Sequence, residues 1–204
     1  MATPNTTDNV SNKHTHGHNG SAFDGLSNKN THSWEPQTGA SEGLAELFHH
    51  DLTRIYWAEK ALVKAIPEMI KKATNAELID ALKDHLSVTE NQVGRAEEVF
   101  QAIDAKAQAV ECIGIKALIE EAGEAMKQSD DPSVRDACII AAAQKVEHYE
   151  IAAYGTLHAY ALALGFNEAA SLLEETLNEE KEADQALTSI AEEHVNVEAL
   201  HAEA

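Results

Sequence analysis

Several residue types are scarce in this chain, and each shortage excludes a class of protein. The 204 residues include two cysteines, Cys112 and Cys138, four prolines and ten glycines, and aromatic residues make up 5%. The cysteines have neither a zinc-binding nor a redox spacing, so we expect two reduced, buried thiols. Alanine and leucine dominate instead, and together with few helix-breaking residues they are typical of an all-α protein.

Basic residues are scarce as well. Lysine and arginine number 15 against 35 aspartates and glutamates, which gives a formal net charge of −20. This balance argues against binding to nucleic acid or to anionic membrane surfaces, and it favours attraction of cations. No apolar run reaches about 18 residues, so no membrane span is expected. The N-terminus lacks the pattern of a secretory leader, and we expect a cytoplasmic protein.

Residues 1–43 differ in composition from the rest of the chain. They are rich in Asn, Ser, Thr, Gly and His and contain almost no aliphatic side chains. Because such a segment cannot bury enough surface to offset the entropy of ordering, we expect a disordered tail. Its alternating histidines, His14, His16 and His18, either bind a transition metal weakly or are incidental to a polar tail.

Residues 44–195 carry the apolar periodicity of a folded bundle, beginning with two long helices. Ser41 is a candidate N-cap for the first helix, which is predicted to run about 28 residues and to kink at Pro67. Thr74 and Glu77 form a predicted capping box for the second helix. The loop between the two helices is only a few residues long, so they are expected to pack antiparallel.

The second half of the predicted bundle follows a long connection, residues 104–131, which contains a short amphipathic helix. The third long helix is predicted to start near Pro132 and to end at Gly165, and Asn167 is a candidate cap for the fourth. Residues 196–204 lose the periodicity and are expected to fray. The predicted fold is therefore an all-α, ferritin-like four-helix bundle with one long crossover that carries a short extra helix.

Each long helix has a glutamate near its middle, on or beside its apolar stripe. These residues are Glu59, Glu90, Glu147 and Glu180. Mid-helix positions of an antiparallel bundle lie at one level, so the four carboxylates are predicted to meet in the core. Buried carboxylates repel one another and are costly to desolvate, whereas two cations would neutralise them. Since carboxylate oxygens are ligands of iron and manganese, we expect two iron ions per chain, or manganese.

Three further carboxylates are candidate metal ligands because of their spacing. Glu150 and Asp184 each lie one helical turn after a mid-helix glutamate, and Glu121 lies on the short crossover helix. The alternative, a solvated position on the flank of a helix, stays open for Glu121, for Asp184, and for Glu90 at the edge of its stripe.

Two histidines and two tyrosines lie near these carboxylates in the sequence. His85 and His148 do not follow a core glutamate with the Glu-x-x-His spacing of helical di-iron sites, so we expect them to neighbour the ligands rather than to bind metal. Tyr56 and Tyr154 each lie one helical turn from a candidate ligand. Their phenols either hydrogen-bond a ligand carboxylate or fill space in the core.

Four short sequence motifs distinguish this part of the chain from a generic helical bundle. They are Leu52-x-x-Ile-Tyr-x-Ala-Glu-Lys60, His85-Leu86 with Thr89-x-x-Gln-Val93, Gln144-Lys-Val-Glu-His-Tyr-Glu-Ile-Ala-Ala-Tyr-Gly155, and Glu179-Glu-Lys-x-Ala-Asp184. In these motifs the chain resembles the YciE/YciF-like stress-protein family of the ferritin-like superfamily, and the resemblance extends over about residues 44–195. The resemblance implies a dimer-forming helical bundle related to rubrerythrins, with a di-iron centre and a role in stress response.

The chain departs from that family at one point on the second helix. Members usually carry carboxylates directly after the His-Leu pair, where this chain has Ser87 and Val88. The second helix is therefore expected to give one ligand, Glu90, or none.

Two functions of different classes follow from these observations. The first is a di-iron, or manganese, oxidoreductase that acts on O2 or peroxide. The second is a non-catalytic, homodimeric stress protein that binds a partner and keeps a vestigial metal site. The absence of the usual carboxylates at Ser87 and Val88 favours this second function. Iron storage would require a hollow shell, and nothing in the sequence indicates one.

Overall fold

The computed structural model describes residues 42–201, which are almost entirely helical and contain no β-strand. The helices are α1 (Glu42–Lys72), α2 (Ala76–Ala102), α3 (Ile113–Gln128), α4 (Pro132–Leu164), α5 (Asn167–Ile190) and α6 (Asn196–Leu200), with a π-helical turn (Ala191–Val195) between α5 and α6. The all-α prediction is confirmed. Residues 1–41, which hold most of the predicted tail, its three histidines and Ser41, lie outside the described residues.

The four long helices form a closed ring in which each packs against two others. α1 contacts α2 and α4, and α5 also contacts α2 and α4, so α2 lies diagonally opposite α4. Short loops join α1 to α2 and α4 to α5, whereas the connection from α2 to α4 spans residues 103–131 and carries α3. α3 packs on α4 and α1. This is the bundle with one long crossover that the sequence predicts.

α4 is the central element because it is covered on more than one side. Neighbouring positions along it, such as Ile139 and Ile140, are both buried, as are Ala142 and Ala143. A helix that packs on only one side buries a single stripe, whereas α4 meets α1 and α5 within the bundle and α3 outside it. Polar side chains on α4 are thereby enclosed as fully as its apolar ones.

Two predicted N-caps are wrong. The cap of α2 is Asn75, whose side chain accepts a hydrogen bond from the Leu78 N–H at 3.1 Å, and not Thr74. Thr74 bonds to α4 instead, which removes it from the predicted capping box with Glu77. Asn167 is the first residue of α5 rather than its cap, and the cap position is held by Phe166 without a side-chain hydrogen bond.

Other local predictions have mixed outcomes. Gly165 ends α4 in the left-handed region, with φ of 77°, as predicted. α1 continues through Pro67 to Lys72.

Residues 196–204 were expected to fray, yet Asn196–Leu200 is helical, and residues 202–204 lie outside the described residues. Both cysteines are free, but only Cys112 is buried, since Cys138 is half-buried.

A buried aspartate joins the α1–α2 loop to α4. Asp136 is 1% exposed and accepts hydrogen bonds from the Thr74 N–H at 2.9 Å, the Thr74 hydroxyl at 2.7 Å and the Asn75 N–H at 2.7 Å. These bonds satisfy two backbone N–H groups in the loop that joins α1 to α2. They also fix the position of α4 along the bundle axis relative to α1 and α2. This position sets the level at which side chains of the three helices meet.

We expect Asp136→Ala to lower the free energy of unfolding by about 3 kcal/mol, because three donors lose a charged acceptor and two of them are backbone groups. Urea denaturation of the full chain measures this loss. Asp80→Ala, which removes an exposed partner of Lys83 on α2, should leave the unfolding midpoint almost unchanged. Equal destabilisation by both variants would contradict the role of Asp136.

Candidate metal centre

Three helices each place glutamate in the core at the same level of the bundle. Glu59 on α1, Glu147 and Glu150 on α4, and Glu180 on α5 are at most 2% exposed. Glu147 and Glu150 both face inward because residues three apart share a helical face. A buried glutamate is rare without a partner, and here four of them face one another.

Three of the four carboxyl groups, those of Glu59, Glu147 and Glu180, have an identifiable polar neighbour. The Tyr154 hydroxyl donates to Glu59, and the Gln92 amide donates to Oε1 of Glu180 at 2.5 Å. Nε2 of His85 lies 3.3 Å from Oε1 of Glu147. The carboxyl groups of Glu147 and Glu180 also contact each other.

These neighbours do not satisfy the cluster. One buried oxygen of each glutamate has no hydrogen-bond partner among the described residues: Glu59 Oε2, Glu147 Oε2, Glu150 Oε1 and Glu180 Oε2. An unsatisfied buried acceptor costs about 1–3 kcal/mol, and more when it is charged. The four orphaned oxygens therefore form an acceptor set with no donor from the protein.

Burial and mutual repulsion favour the protonated form of these glutamates when no cation is present. Burial is the largest cause that raises the pKa of Glu59, Glu147 and Glu150 well above its ordinary value, and neighbouring carboxylates raise it further. The pKa of Glu180 rises to about 7, again chiefly through burial. Burial lowers the pKa of His85 to about 4, so its imidazole is neutral near pH 7, the form that binds metals.

A second layer of polar groups fixes Gln92. Its amide also donates to Oε2 of Glu179 at 3.0 Å, and Arg95 donates to both oxygens of Glu179 at 2.6 and 2.9 Å. This bidentate pair holds Glu179 in place, Glu179 orients the amide of Gln92, and the amide positions Glu180.

The donor set fits a metal ion. One ligand atom each from His85, Glu147 and Glu180 lies within 4.8 Å of the others. Glu59 and Glu150 add further oxygens that lack partners. Imidazole and carboxylate are the donors that iron and manganese take in proteins, and four carboxylates match the charge of two divalent ions. The residues present therefore fit a two-metal carboxylate centre.

The remaining predicted ligands lie elsewhere. Glu90 is exposed, because it lies one residue beyond the buried face of α2 that includes Thr89 and Gln92. Glu121 is exposed on α3 and forms an ion pair with Lys145. Neither belongs with the buried cluster.

Asp184 lies at the edge of the cluster rather than within it. Its side chain is 23% exposed, and Oδ1 accepts a hydrogen bond from the Gln144 amide at 3.2 Å and lies 3.3 Å from Nε2 of His148. His148 itself is 70% exposed. His148 therefore lies beside the candidate ligand Asp184, and the expectation that it does not bind metal stays a prediction.

The sequence did not single out Gln92 of α2, which donates to Glu180. His85 was expected to neighbour the ligands, and its ring lies beside Glu147; the grouping of His85 with Glu147 and Glu180 makes it a candidate ligand as well. The available signal was that His85, Thr89 and Gln92 continue the apolar face of Leu78 and Leu82 at spacings of three and four.

Of the two tyrosines whose phenols could bond a ligand carboxylate, only one does so. Tyr154 does bond a carboxylate of the cluster, Glu59. Tyr56 donates to Glu97 on α2 at 2.5 Å instead, outside the cluster.

Comparison with known proteins identifies the family. The family model described as Domain of unknown function (DUF892) matches residues 43–200. The chain belongs to the DUF892 family. A curated relative, Protein YciF of Escherichia coli (strain K12), is 43% identical over 157 residues, which cover 76% of this chain and 95% of YciF. The resemblance to YciF-like proteins is thereby confirmed.

Solved structures agree with the DUF892 assignment. E. coli YciF, described as a stress protein, has 43% identity and a TM-score of 0.72, and the match covers 75% of this chain and 97% of YciF. YcfI from Rhodopseudomonas palustris, whose description proposes a structural role, has 44% identity and a TM-score of 0.72 over 72% of this chain and 94% of its own. A Xanthomonas campestris protein at 20% identity and a TM-score of 0.60 shares the fold.

In the part of this DUF892 protein that the structure describes, none of the helices is long and apolar enough to cross a membrane.

The raised pKa of Glu180 predicts how the stability of the metal-free protein depends on pH. Its folded-state pKa of about 7 exceeds the ordinary 4.5, so its contribution is complete below pH 4.5 and is lost as the pH rises through about 7. Between about pH 5 and pH 8, with chelator present, wild type should lose up to about 3 kcal/mol more stability than Glu180→Gln.

Urea denaturation at both pH values measures this difference. Glu121→Gln, which removes an exposed carboxylate, should keep the wild-type dependence on pH. Parallel pH profiles for wild type and Glu180→Gln would contradict a protonated, buried Glu180.

Proposed function

We propose that this DUF892 protein is a ferritin-like carboxylate protein that binds two iron ions, or manganese, and acts as a stress-related oxidoreductase on O2 or peroxide. The observation that carries this proposal is the set of four buried glutamate oxygens without a hydrogen-bond partner among the described residues. Cations would satisfy all four oxygens and remove the repulsion that otherwise forces protons onto them.

The proposed ligands divide into two groups. His85, Glu147 and Glu180 would hold one ion, because their ligand atoms lie within 4.8 Å of one another. Glu59 and Glu150, which also have buried oxygens without a partner among the described residues, would supply oxygens to the second ion. When bound, iron supplies the electrons for reduction of O2 or peroxide.

The protein's own groups would set the geometry and exclude water. Tyr154 is 2% exposed and donates its phenolic hydrogen to Glu59, which limits how that carboxylate turns. Burial raises the pKa of the Tyr154 phenol well above its ordinary value, so it remains a donor. Gln92 does the same for Glu180, and both fixed donors leave the second oxygen of each carboxylate available.

Uptake of the ions would release the protons that the cluster holds. The raised pKa values of the glutamates mean that the metal-free cluster keeps its protons to higher pH than ordinary carboxyl groups do. Cations therefore compete with protons for the same oxygens, and affinity should rise with pH.

A second candidate function is a non-catalytic, homodimeric bundle that binds a partner and retains a vestigial site. Two observations favour it: α2 adds His85 and Gln92 to the cluster but no carboxylate, and the description of YcfI proposes a structural role for that relative. Peroxide consumption distinguishes the candidates, because a metal-replete but inert protein supports the second one.

Metal uptake tests the proposal directly. We expect the full chain, loaded with Fe(II) under anaerobic conditions and desalted, to hold about two irons per chain by elemental analysis. Glu147→Ala should lose at least one of them, because Glu147 belongs to the group that includes His85 and Glu180.

Two exposed glutamates provide matched controls. Glu90→Gln and Glu121→Gln should retain the wild-type iron content, since neither side chain reaches the cluster. All variants keep the histidines of the N-terminal tail, so a difference between them reports only the cluster. Iron uptake by Glu147→Ala equal to that of wild type would remove the basis of the metal proposal.

A further inference from the structure

An apolar cavity of about 230 Å³ lies between α1, α2, α3 and α4, directly beside the cluster. Of the fourteen described residues that line it, eleven are hydrophobic or glycine. The polar members are Glu68, His85 and Glu147. The last two are also candidate metal ligands, so the cavity wall and the cluster share side chains.

The cavity exists because small residues face it from several helices. Ala65 on α1, Ala122 and Gly123 on α3, and Ala143 on α4 all line it. A Cβ placed on Gly123 would meet no atom within 4 Å, apart from its own helix and neighbours. An apolar wall left in contact with water is unfavourable, and glycine inside a helix costs about 1 kcal/mol relative to alanine. Because the sequence keeps this space open at a cost in stability, the space is a candidate binding site.

The lining determines which kind of molecule fits. None of the described lining residues is lysine or arginine, and Glu68 is exposed and paired with Lys71 at 2.6 Å. An anion would find no cationic partner and would approach four buried carboxyl groups, and a sugar would lose its hydrogen bonds to water. An apolar cavity of only about 150 Å³ binds benzene in another protein, so this volume suffices for a molecule of that size.

We infer that the cavity binds a small, neutral, apolar molecule, of the size of a substituted benzene or a short alkyl chain, and holds it against His85 and Glu147. This inference deepens the proposed function, on which its chemical meaning rests, by naming the class of compound presented to the metal centre. The binding itself depends only on the cavity and requires no metal.

A fluorine NMR titration with fluorobenzene tests the binding. The metal-free full chain should bind the probe saturably, and Gly123→Leu should weaken binding at least tenfold because its side chain extends into the open space at that position. Gly94→Leu is the matched control: Gly94 is also a helical glycine whose added Cβ would meet no atom within 4 Å, and it does not line the cavity. Its affinity should equal that of wild type.

A second variant keeps the test meaningful if Gly123→Leu does not fold. Ile119 is half-buried and lines the cavity, so Ile119→Ala should enlarge it and shift the preference from fluorobenzene towards 1-fluoronaphthalene. An unchanged preference in a folded Ile119→Ala protein would count against the assignment.

Paramagnetic broadening tests whether the molecule lies beside the metal. Mn(II) should broaden the fluorine signal of bound fluorobenzene, whereas diamagnetic Zn(II) should not. Glu180 does not line the cavity, so Glu180→Ala should abolish the broadening and keep the affinity for fluorobenzene.

The outcomes separate the two proposals. Saturable binding that Gly123→Leu weakens at least tenfold supports the cavity assignment even when no metal binds, and in that case only the proposed oxidoreductase function fails. Metal uptake without saturable fluorobenzene binding, or equal binding by wild type and a folded Gly123→Leu, overturns the inference.

Discussion

Confinement of Glu59, Glu147, Glu150 and Glu180 in one apolar core is the constraint on which this structure depends. Desolvation and like-charge repulsion both oppose their ionisation, and the fixed donors, Tyr154 and Gln92 among them, leave one oxygen of each glutamate without a partner. Two states can relieve the cost: a protonated cluster with neutral carboxyl groups, or an ionised cluster neutralised by cations. We propose that the second state is the one in which the protein functions.

The fold serves this cluster by fixing the level at which three helices meet. α4 is enclosed on more than one side and therefore buries two glutamates one turn apart, and Asp136 ties it to the loop that joins α1 and α2. α5 brings Glu180 to the same level, and Arg95 on α2 holds Glu179 beside it. The cavity beside the cluster arises where α3 covers the bundle with small residues, so a single crossover helix both completes the core and leaves space next to the proposed metal centre.

Much of this arrangement could be predicted from the sequence, for identifiable reasons. The four long helices and the crossover follow from apolar periodicity, and Glu59, Glu147 and Glu180 lie inside uninterrupted stripes, so their burial was predictable. Glu90 was placed wrongly because one residue is about 100° of rotation on a helix, which is enough to turn a side chain from core to solvent. His85 was expected beside the ligands because it lacks the Glu-x-x-His spacing within one helix, whereas the grouping that makes it a candidate ligand joins residues of three helices. The cavity depends on how four helices pack against one another, and no single helix's sequence contains that information.

The central claim is that the buried glutamates converge because they bind cations, and an anomalous-scattering experiment tests it most directly. Crystals of the full chain loaded with Fe(II), measured on both sides of the iron absorption edge, should show two anomalous peaks within coordination distance of Glu59, Glu147, Glu150 and Glu180. The absence of anomalous density among these side chains in a protein that holds iron elsewhere would contradict the account. The cluster would then be a set of protonated core residues in a helical scaffold.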